Sequence, residues 1–121
     1  MDFKTRVTRI GNHALNTEDQ MLVLFGESVT QEIAEISISQ EFLDNEMKRK
    51  FTLKKGDQVL IGDTAFDVEY VGSLVQENMR TINHINLVFN HKGDHLESAV
   101  YLDGKIDFSN LKIGSEITYS D

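Results

Sequence analysis

The sequence predicts an all-β domain, a compact closed or nearly closed β barrel of short antiparallel strands with one to three short helices. Apolar and polar residues alternate along several short segments, and turn residues separate these segments at short intervals. Only two or three short helical patterns interrupt them. A β sandwich is the alternative architecture. The 121 residues contain no repeat and no shift in composition, so residues 1–121 are predicted to form a single domain.

The strands are predicted from their alternation. The clearest runs from Thr64 to Val71, where apolar and acidic residues alternate. The alternation Ile36-Ser37-Ile38-Ser39 predicts a half-buried strand, and the continuous apolar run from Met21 to Phe25 predicts a strand buried on both faces. Further strands are predicted at residues 3–10, 58–61, 85–89, 98–102 and 116–119.

Turns and short helices connect these strands. Asp103-Gly104 predicts a type I′ hairpin turn between residues 100–102 and 105–106. Ser73 and Gln76 have the spacing of a capping box, and the helix that follows them is predicted to end at Asn83. A similar pattern begins at Ser28. Residues 41–50 are predicted as a third helix because acidic residues come early and basic residues late.

The composition excludes several classes of function. The formal net charge is −8, so the phosphate backbone of a nucleic acid would repel the chain. The sequence has no cysteine, which excludes disulfides, thiolate metal sites and cysteine nucleophiles. No apolar run reaches the roughly 18 residues of a membrane helix, and the first residues lack the apolar run of a signal peptide. We therefore expect a cytoplasmic protein without direct membrane insertion.

The four histidines are the first candidates for chemistry. His91 and His95 have the spacing of a helical metal site, but Gly93 between them indicates a turn, so no metal site is predicted. His84 starts an apolar strand directly after a helix. It is either a structural histidine that hydrogen-bonds the helix end, or a nucleophile or binding group at that corner. The sequence predicts no cofactor.

A group of basic residues stands out in an acidic chain. A solvated helix end and turn would explain them, and a docking patch for an acidic partner protein is the functional alternative. The residues of this predicted docking patch are Lys48, Arg49, Lys50, Lys54, Lys55 and Arg80.

Four motifs follow one another over almost the whole chain. They are Thr8-Arg9-Ile10-Gly11; Asp19-Gln20-Met21-Leu22 leading to Phe25; Val71-Gly72-Ser73 followed by Asn78, Arg80, His84, Leu87 and Phe89; and Ile113-Gly114-Ser115. In this order and spacing, the chain resembles the glucitol/sorbitol-specific IIA component of the bacterial phosphoenolpyruvate-dependent sugar phosphotransferase system.

The resemblance implies a compact barrel-like fold and a role in phosphoryl relay. Such a subunit accepts a phosphoryl group on a histidine from the phosphocarrier protein. It passes the group to the IIB subunit, which phosphorylates the hexitol during uptake. Histidine suits this role because its neutral imidazole has a nucleophilic ring nitrogen near pH 7.

The sequence departs from the family at the acceptor. The resemblance places the phospho-accepting histidine after the strand that ends Ile38-Ser39, and an alignment without gaps from Met21 puts Gln40 there. No histidine occurs between His13 and His84. A glutamine cannot substitute, because its amide nitrogen is delocalised into the carbonyl and is a poor nucleophile.

Three hypotheses follow. The protein is a IIA subunit that uses another histidine, for which His84 is the candidate, or a member without phosphotransfer that binds a protein or small ligand as a regulator. The third is an unrelated use of the fold, such as small-molecule binding. The expected partners are the phosphocarrier protein or the IIB subunit. A homo-oligomer is also compatible with the sequence if the Met21 to Phe25 strand lies at a sheet edge.

Overall fold

The computed structural model describes residues 1–15, 20–90 and 93–121, and within these ranges eight strands close into a barrel. This confirms the predicted fold class. The strands are β1 (Asp2–Ile10), β2 (Met21–Phe25), β3 (Ile38–Phe42), β4 (Gln58–Ile61), β5 (Thr64–Val71), β6 (Ile85–Phe89), β7 (Ala99–Leu102) and β8 (Glu116–Ser120).

Three short helices and one 3-10 turn connect the strands of the described chain. They are α1 (Gln31–Ile36), α2 (Asn45–Arg49), α3 (Val75–Ile82) and the 3-10 turn Phe108–Asn110. The side chains of Thr30 and Asp44 cap α1 and α2, each by accepting a hydrogen bond from a main-chain N–H of the first turn. The first predicted cap, Ser28, was therefore wrong by two residues.

The strand order around the barrel is β1-β3-β2-β6-β7-β5-β4-β8, and β8 pairs with β1 to close it. Six of the eight pairings are antiparallel, as predicted. The pairs β2–β3 and β6–β7 are parallel. Each of these pairs is joined by a connection long enough to return the chain to the same end of the barrel, which parallel pairing requires.

Two strand predictions need correction. The strand β2 is not buried on both faces: Leu22 and Leu24 are buried, and the residues between and beside them are partly exposed. Its neighbours are β3 and β6, so it is not a sheet edge, and the edge-to-edge dimer considered for it has no basis in the barrel. Ile36 is the last residue of α1 and is 53% exposed, so the alternating pattern begins only at Ile38.

Two turn and helix predictions were also wrong. Gly104 has a positive φ of 105°, as a turn glycine should, but no strand follows it to form a hairpin with β7. The helix predicted for residues 41–50 is shorter because Glu41 and Phe42 belong to β3. Ser73 does not cap α3; its hydroxyl hydrogen-bonds the Glu97 carboxylate instead.

The barrel interior holds one continuous apolar core. Three aromatic rings surround the ring of Phe51 in this core. The distances between ring centroids are 5.3 Å to Phe3, 5.4 Å to Tyr119 and 6.3 Å to Phe42. Met79 of α3 is fully buried against this core, so the helix contributes to barrel packing. Among the described residues, no helix is long and apolar enough to cross a bilayer.

Candidate functional site

Gln40, which the sequence analysis predicted at the family's acceptor position, lies inside the barrel on β3 with no exposed surface. Its carboxamide oxygen accepts hydrogen bonds from the hydroxyls of Thr5 and Tyr119, each at 2.8 Å. Its amide nitrogen donates to the main-chain oxygen of Asn83 at 3.0 Å and lies 3.5 Å from the sulfur of Met79. The side chain therefore joins β1, β3, β8 and the end of α3.

The Tyr119 hydroxyl fits the role of a permanent donor in this cluster. Its burial raises the pKa of the phenol well above the usual value, and the hydrogen bonds with Gln40 and Thr5 oppose that shift only in part. The phenol is thus neutral at physiological pH and keeps the proton that it donates to Gln40. The cluster is a satisfied polar network in an apolar core, as buried polar groups require.

His84 lies directly before β6 and is half-buried. Its Nδ1 is 2.8 Å from the main-chain oxygen of Leu24 in β2, and its ring stacks on Phe25 at 3.9 Å with an interplanar angle of 15°. Because a carbonyl oxygen only accepts, the neutral ring carries its proton on Nδ1, and the lone pair is on Nε2. Burial lowers the pKa of His84, and the Leu24 hydrogen bond opposes this shift.

The hydrogen bonds of His84 divide between two elements. Its main-chain N–H donates to the oxygen of Asn78 in α3 at 3.2 Å, while the ring bonds β2. The main chain of His84 thus bonds the helix end, as the structural interpretation of this histidine expected. The ring bonds Leu24 of β2 instead. The structure does not bring His84 and the side chain of Gln40 into one cleft, because Gln40 points into the closed interior.

Asn83 lies between these two residues and closes α3, as predicted. It adopts the left-handed conformation with φ 56°. Its side-chain amide donates to the main-chain oxygen of Gln40 at 2.8 Å and to the carboxylate of Glu41 at 3.1 Å. Only 2% of Asn83 is exposed. The left-handed helix end is therefore fixed by hydrogen bonds with two successive residues of β3, Gln40 and Glu41.

An open groove of about 460 Å³ lies beside Asn83, between the end of β2 and the ends of α1 and α3. We call it the β2–α3 groove. Its walls combine apolar, hydroxyl and charged side chains. They are Phe25, Gly26, Glu27, Ser28, Val29, Thr30, Ile33, Glu41, Lys48, Thr81, Ile82 and Asn83. The Phe25 ring lines the groove and stacks on His84, so the groove borders the half-buried histidine.

The residues of the predicted docking patch do not share one environment. Arg49 pairs with Glu46 at 2.8 Å on the exposed surface of α2. Lys54 pairs with a buried carboxylate, that of Asp57, at 3.3 Å.

The other members of the patch also differ. The guanidinium of Arg80 donates to the main-chain oxygen of Phe51 at 2.9 Å, so it holds the segment between α2 and β4 against α3. Lys48 lines the β2–α3 groove, and Lys55 lines a separate depression with Tyr70 and His95. Lys50 is an exposed residue at the end of α2. The predicted patch is thus divided between at least two surfaces.

The remaining histidines lie elsewhere. His13 follows β1 in an exposed turn, and His95 stacks on Tyr70 at 4.1 Å. His91 lies outside the described residues, so its spacing to His95 is not tested. Within residues 1–15, 20–90 and 93–121, no three histidine or acidic side chains form a group able to hold a metal ion.

The sequence did not indicate the β2–α3 groove. It predicted Asn83 only as a helix stop and gave Glu41 to a helix, whereas the structure places both at the groove. A signal was present in the alternation of β3, where the polar Gln40 lies in phase with Ile38 and Phe42. A polar residue on an apolar face indicates a buried network, and its partners come from distant segments that spacing alone does not connect.

The comparisons with known proteins agree with one another. Residues 2–118 match the family model of the PTS system glucitol/sorbitol-specific IIA component. The PTS system glucitol/sorbitol-specific EIIA components of Escherichia coli (strain K12) and Shigella flexneri are each 32% identical over 88 residues, which is 72% of this chain and 68% of theirs. A crystal structure of a PTS system IIA component from Enterococcus faecalis V583 superposes with a TM-score of 0.86 at 31% identity, covering 98% of this chain and 99% of that one. This chain belongs to the glucitol/sorbitol-specific IIA component family of the sugar phosphotransferase system.

Proposed function

We propose that this domain is a cytoplasmic, partner-binding member of the family that does not receive a phosphoryl group at residue 40. The observation that carries the proposal is the complete burial of Gln40 within a network that uses both its oxygen and its nitrogen. Membership of the family supports protein partners from the same phosphotransferase system, namely the phosphocarrier protein and the IIB subunit.

Chemistry and access both argue against transfer at this position. Phosphoryl transfer between two proteins requires the donor phosphohistidine, the phosphorus and the acceptor atom to lie roughly in line and in contact. An amide nitrogen is a poor acceptor, and the Gln40 nitrogen already donates to Asn83. A partner protein would have to open the barrel to reach it.

A binding measurement tests the proposal. We expect the purified chain to bind either the phosphocarrier protein or the IIB subunit of its own system in isothermal titration calorimetry, with unphosphorylated partners. A folded chain that binds neither protein, when a family member with the acceptor histidine binds them under the same conditions, would overturn the proposed function.

Phosphoryl relay through His84 is the second candidate, and the hydrogen bond from Nδ1 to Leu24 favours it. That bond leaves Nε2 as the nucleophile of a neutral ring, and the lowered pKa keeps the ring neutral at pH 7. In this reaction the N–P bond of the phosphocarrier breaks as an Nε2–P bond forms on His84. The test is phosphopeptide mapping after incubation with phosphoenolpyruvate, the first enzyme of the system and the phosphocarrier protein. A phosphoryl group on His84, absent in His84→Ala, would establish this function in place of the first.

A further inference from the structure

Asn83, which lines the β2–α3 groove, has a buried acceptor without a donor. Asn83 is 2% exposed, and its side-chain nitrogen is committed to the Gln40 main-chain oxygen and the Glu41 carboxylate. Both of those partners are acceptors, so reversing the amide would place its oxygen against both of their oxygens. The carboxamide oxygen of Asn83 has no hydrogen-bond partner within the described ranges. A buried polar atom in this state costs free energy unless a ligand or partner supplies a donor.

The carboxylate of Glu41 adds negative charge at the same place. It accepts from the main-chain N–H of Glu27 at 3.2 Å and from Asn83 at 3.1 Å, and neither donor carries a charge. In the described part of the chain, no lysine or arginine nitrogen lies within 4.0 Å of this carboxylate. The groove therefore presents a carboxylate without a cationic partner, held in place by the amide nitrogen of Asn83.

Apolar side chains form the rest of the groove and continue beyond it. Phe25, Val29, Ile33 and Ile82 line it, and Ile82 is 49% exposed. Ile36 follows Ile33 by three residues on α1, which places the two on one side of the helix, and it is 53% exposed. An exposed apolar surface that continues from a groove along a helix is typical of protein docking sites.

We propose that the β2–α3 groove is a docking site for a partner protein segment that carries a lysine or arginine next to an apolar side chain. The cation pairs with the carboxylate of Glu41, which the buried Asn83 amide holds in place, and the apolar side chain packs against Ile33 and Ile82. This rests on the proposed function as a partner-binding domain. The partner would also cover the Phe25 ring and hence the neighbourhood of His84.

Variants of the groove test the proposal with the phosphocarrier protein and the IIB subunit as probes. Glu41→Gln and Ile82→Ser should each cause at least a tenfold increase in the dissociation constant of whichever of the two partners binds. Two exposed residues away from the groove give matched controls, Glu69→Gln and Ile113→Ser, and these should change it less than twofold. Unchanged binding in both groove variants would overturn the proposal while leaving the proposed function intact.

Lys48→Met separates this groove from the predicted docking patch. Lys48 lines the groove, and its charge repels an incoming cation, so its removal should leave the dissociation constant unchanged or lower it. If Lys48→Met instead weakens binding as strongly as Ile82→Ser, the partner presents an acidic group here, and the cationic segment that we propose is wrong.

A peptide probe tests the groove independently of the partners. We would titrate the dipeptide N-acetyl-leucyl-arginine amide into the ¹⁵N-labelled chain and follow the amide resonances by NMR, with N-acetyl-leucyl-glutamate amide as the matched peptide. The arginine peptide should shift the signals of Gly26, Glu41 and Asn83, and the glutamate peptide should not. Absence of these shifts with the arginine peptide overturns the groove proposal, whether or not the phosphocarrier protein or IIB binds.

Discussion

The side chain of Gln40 connects four segments of the barrel through short hydrogen bonds. Its removal leaves the buried Tyr119 hydroxyl and the main-chain oxygen of Asn83 without these partners, and leaves the Thr5 hydroxyl only a longer bond of 3.4 Å to the main-chain oxygen of Ile117. Each unsatisfied buried group costs roughly 1–3 kcal/mol, and a cavity adds to the loss. Gln40 is therefore better explained as a structural residue than as a modified acceptor.

We expect Gln40→Ala to lower the free energy of unfolding by about 3 kcal/mol or more, because both lost hydrogen bonds and a cavity contribute. Urea denaturation measures this. Gln58→Ala is the matched control: Gln58 is exposed and bonds Asp67, so its loss should stay within about 0.5 kcal/mol. Equal and small losses for the two variants would show that the buried network contributes nothing to stability.

His84 makes the stability depend on pH in a defined direction. Its folded pKa lies below the ordinary value of 6.5, so between these two pKa values the unfolded chain binds more protons than the folded one. The stabilising contribution is therefore complete above pH 6.5 and is lost as the pH falls below it toward the folded pKa. We expect acidification from pH 7.5 to 5.5 to lower the melting temperature of the parent chain more than that of His84→Asn. Parallel curves for the two proteins would contradict this assignment.

For single residues, the sequence predicted which positions are of interest, but not the contacts that surround them in the fold. The register from Met21 placed Gln40 at the acceptor position, and the position of His84 after a helix indicated a corner. The alternation of β3 indicated a buried polar side chain at Gln40, but its partners Thr5 and Tyr119 lie 35 and 79 residues away, so local spacing did not identify them.

The junction between β1 and α1 depends on a close approach of two main chains. A β-carbon on Gly11 would overlap the main-chain oxygens of Ala34 and Glu35 at the end of α1. The Gly11 N–H donates to the oxygen of Ser37 at 2.9 Å, which holds the segment between α1 and β3 against β1. This contact explains a glycine at the end of β1, where a turn alone would accept other residues.

Gly11→Ala should therefore lower the free energy of unfolding by about 2 kcal/mol, because main-chain atoms cannot move as cheaply as side chains. Gly26→Ala is the comparison, since a β-carbon there would lie 3.4 Å from both the Asn83 side chain and the main-chain oxygen of Ile82, a close contact that needs at most a small adjustment. Thermal unfolding of both variants shows whether Gly11→Ala loses more stability than Gly26→Ala. A loss for Gly26→Ala as large as that for Gly11→Ala would show that the close approach is not the cause.

Elements were predictable where a local pattern determined them. The strand β5 occupies the predicted residues 64–71, and α3 ends at Asn83 as expected. The boundary between α1 and β3 was missed because Ile36 continues the alternation of Ile38 in sequence while belonging to the helix. The hairpin predicted at Asp103-Gly104 failed because the next residues pair with no strand. In both cases tertiary contacts override a local signal.

For the whole molecule, closure of the barrel brings the two ends of the chain together. β1 pairs with β8, and the amino group of Met1 lies 2.8 Å from the carboxylate of Asp121. The alternation of short strands predicted a barrel, but it could not predict the strand order or the two parallel pairings. These depend on which strands meet after long connections, and the parallel pairing of β2 with β3 brings Phe25 and Glu41 to the same groove.

The central claim is that the barrel keeps the family's fold and partners while residue 40 is closed to phosphoryl transfer. The most direct test is the intact mass of the wild-type chain after incubation with phosphoenolpyruvate, the first enzyme of the system and the phosphocarrier protein, read under alkaline conditions that preserve phosphohistidine. A family member with the acceptor histidine provides the positive control. We predict that the control gains one phosphoryl group and this chain gains none. A phosphoryl group that peptide mapping places on residue 40 would contradict the claim, whereas one that is lost in His84→Ala would establish the relay through His84.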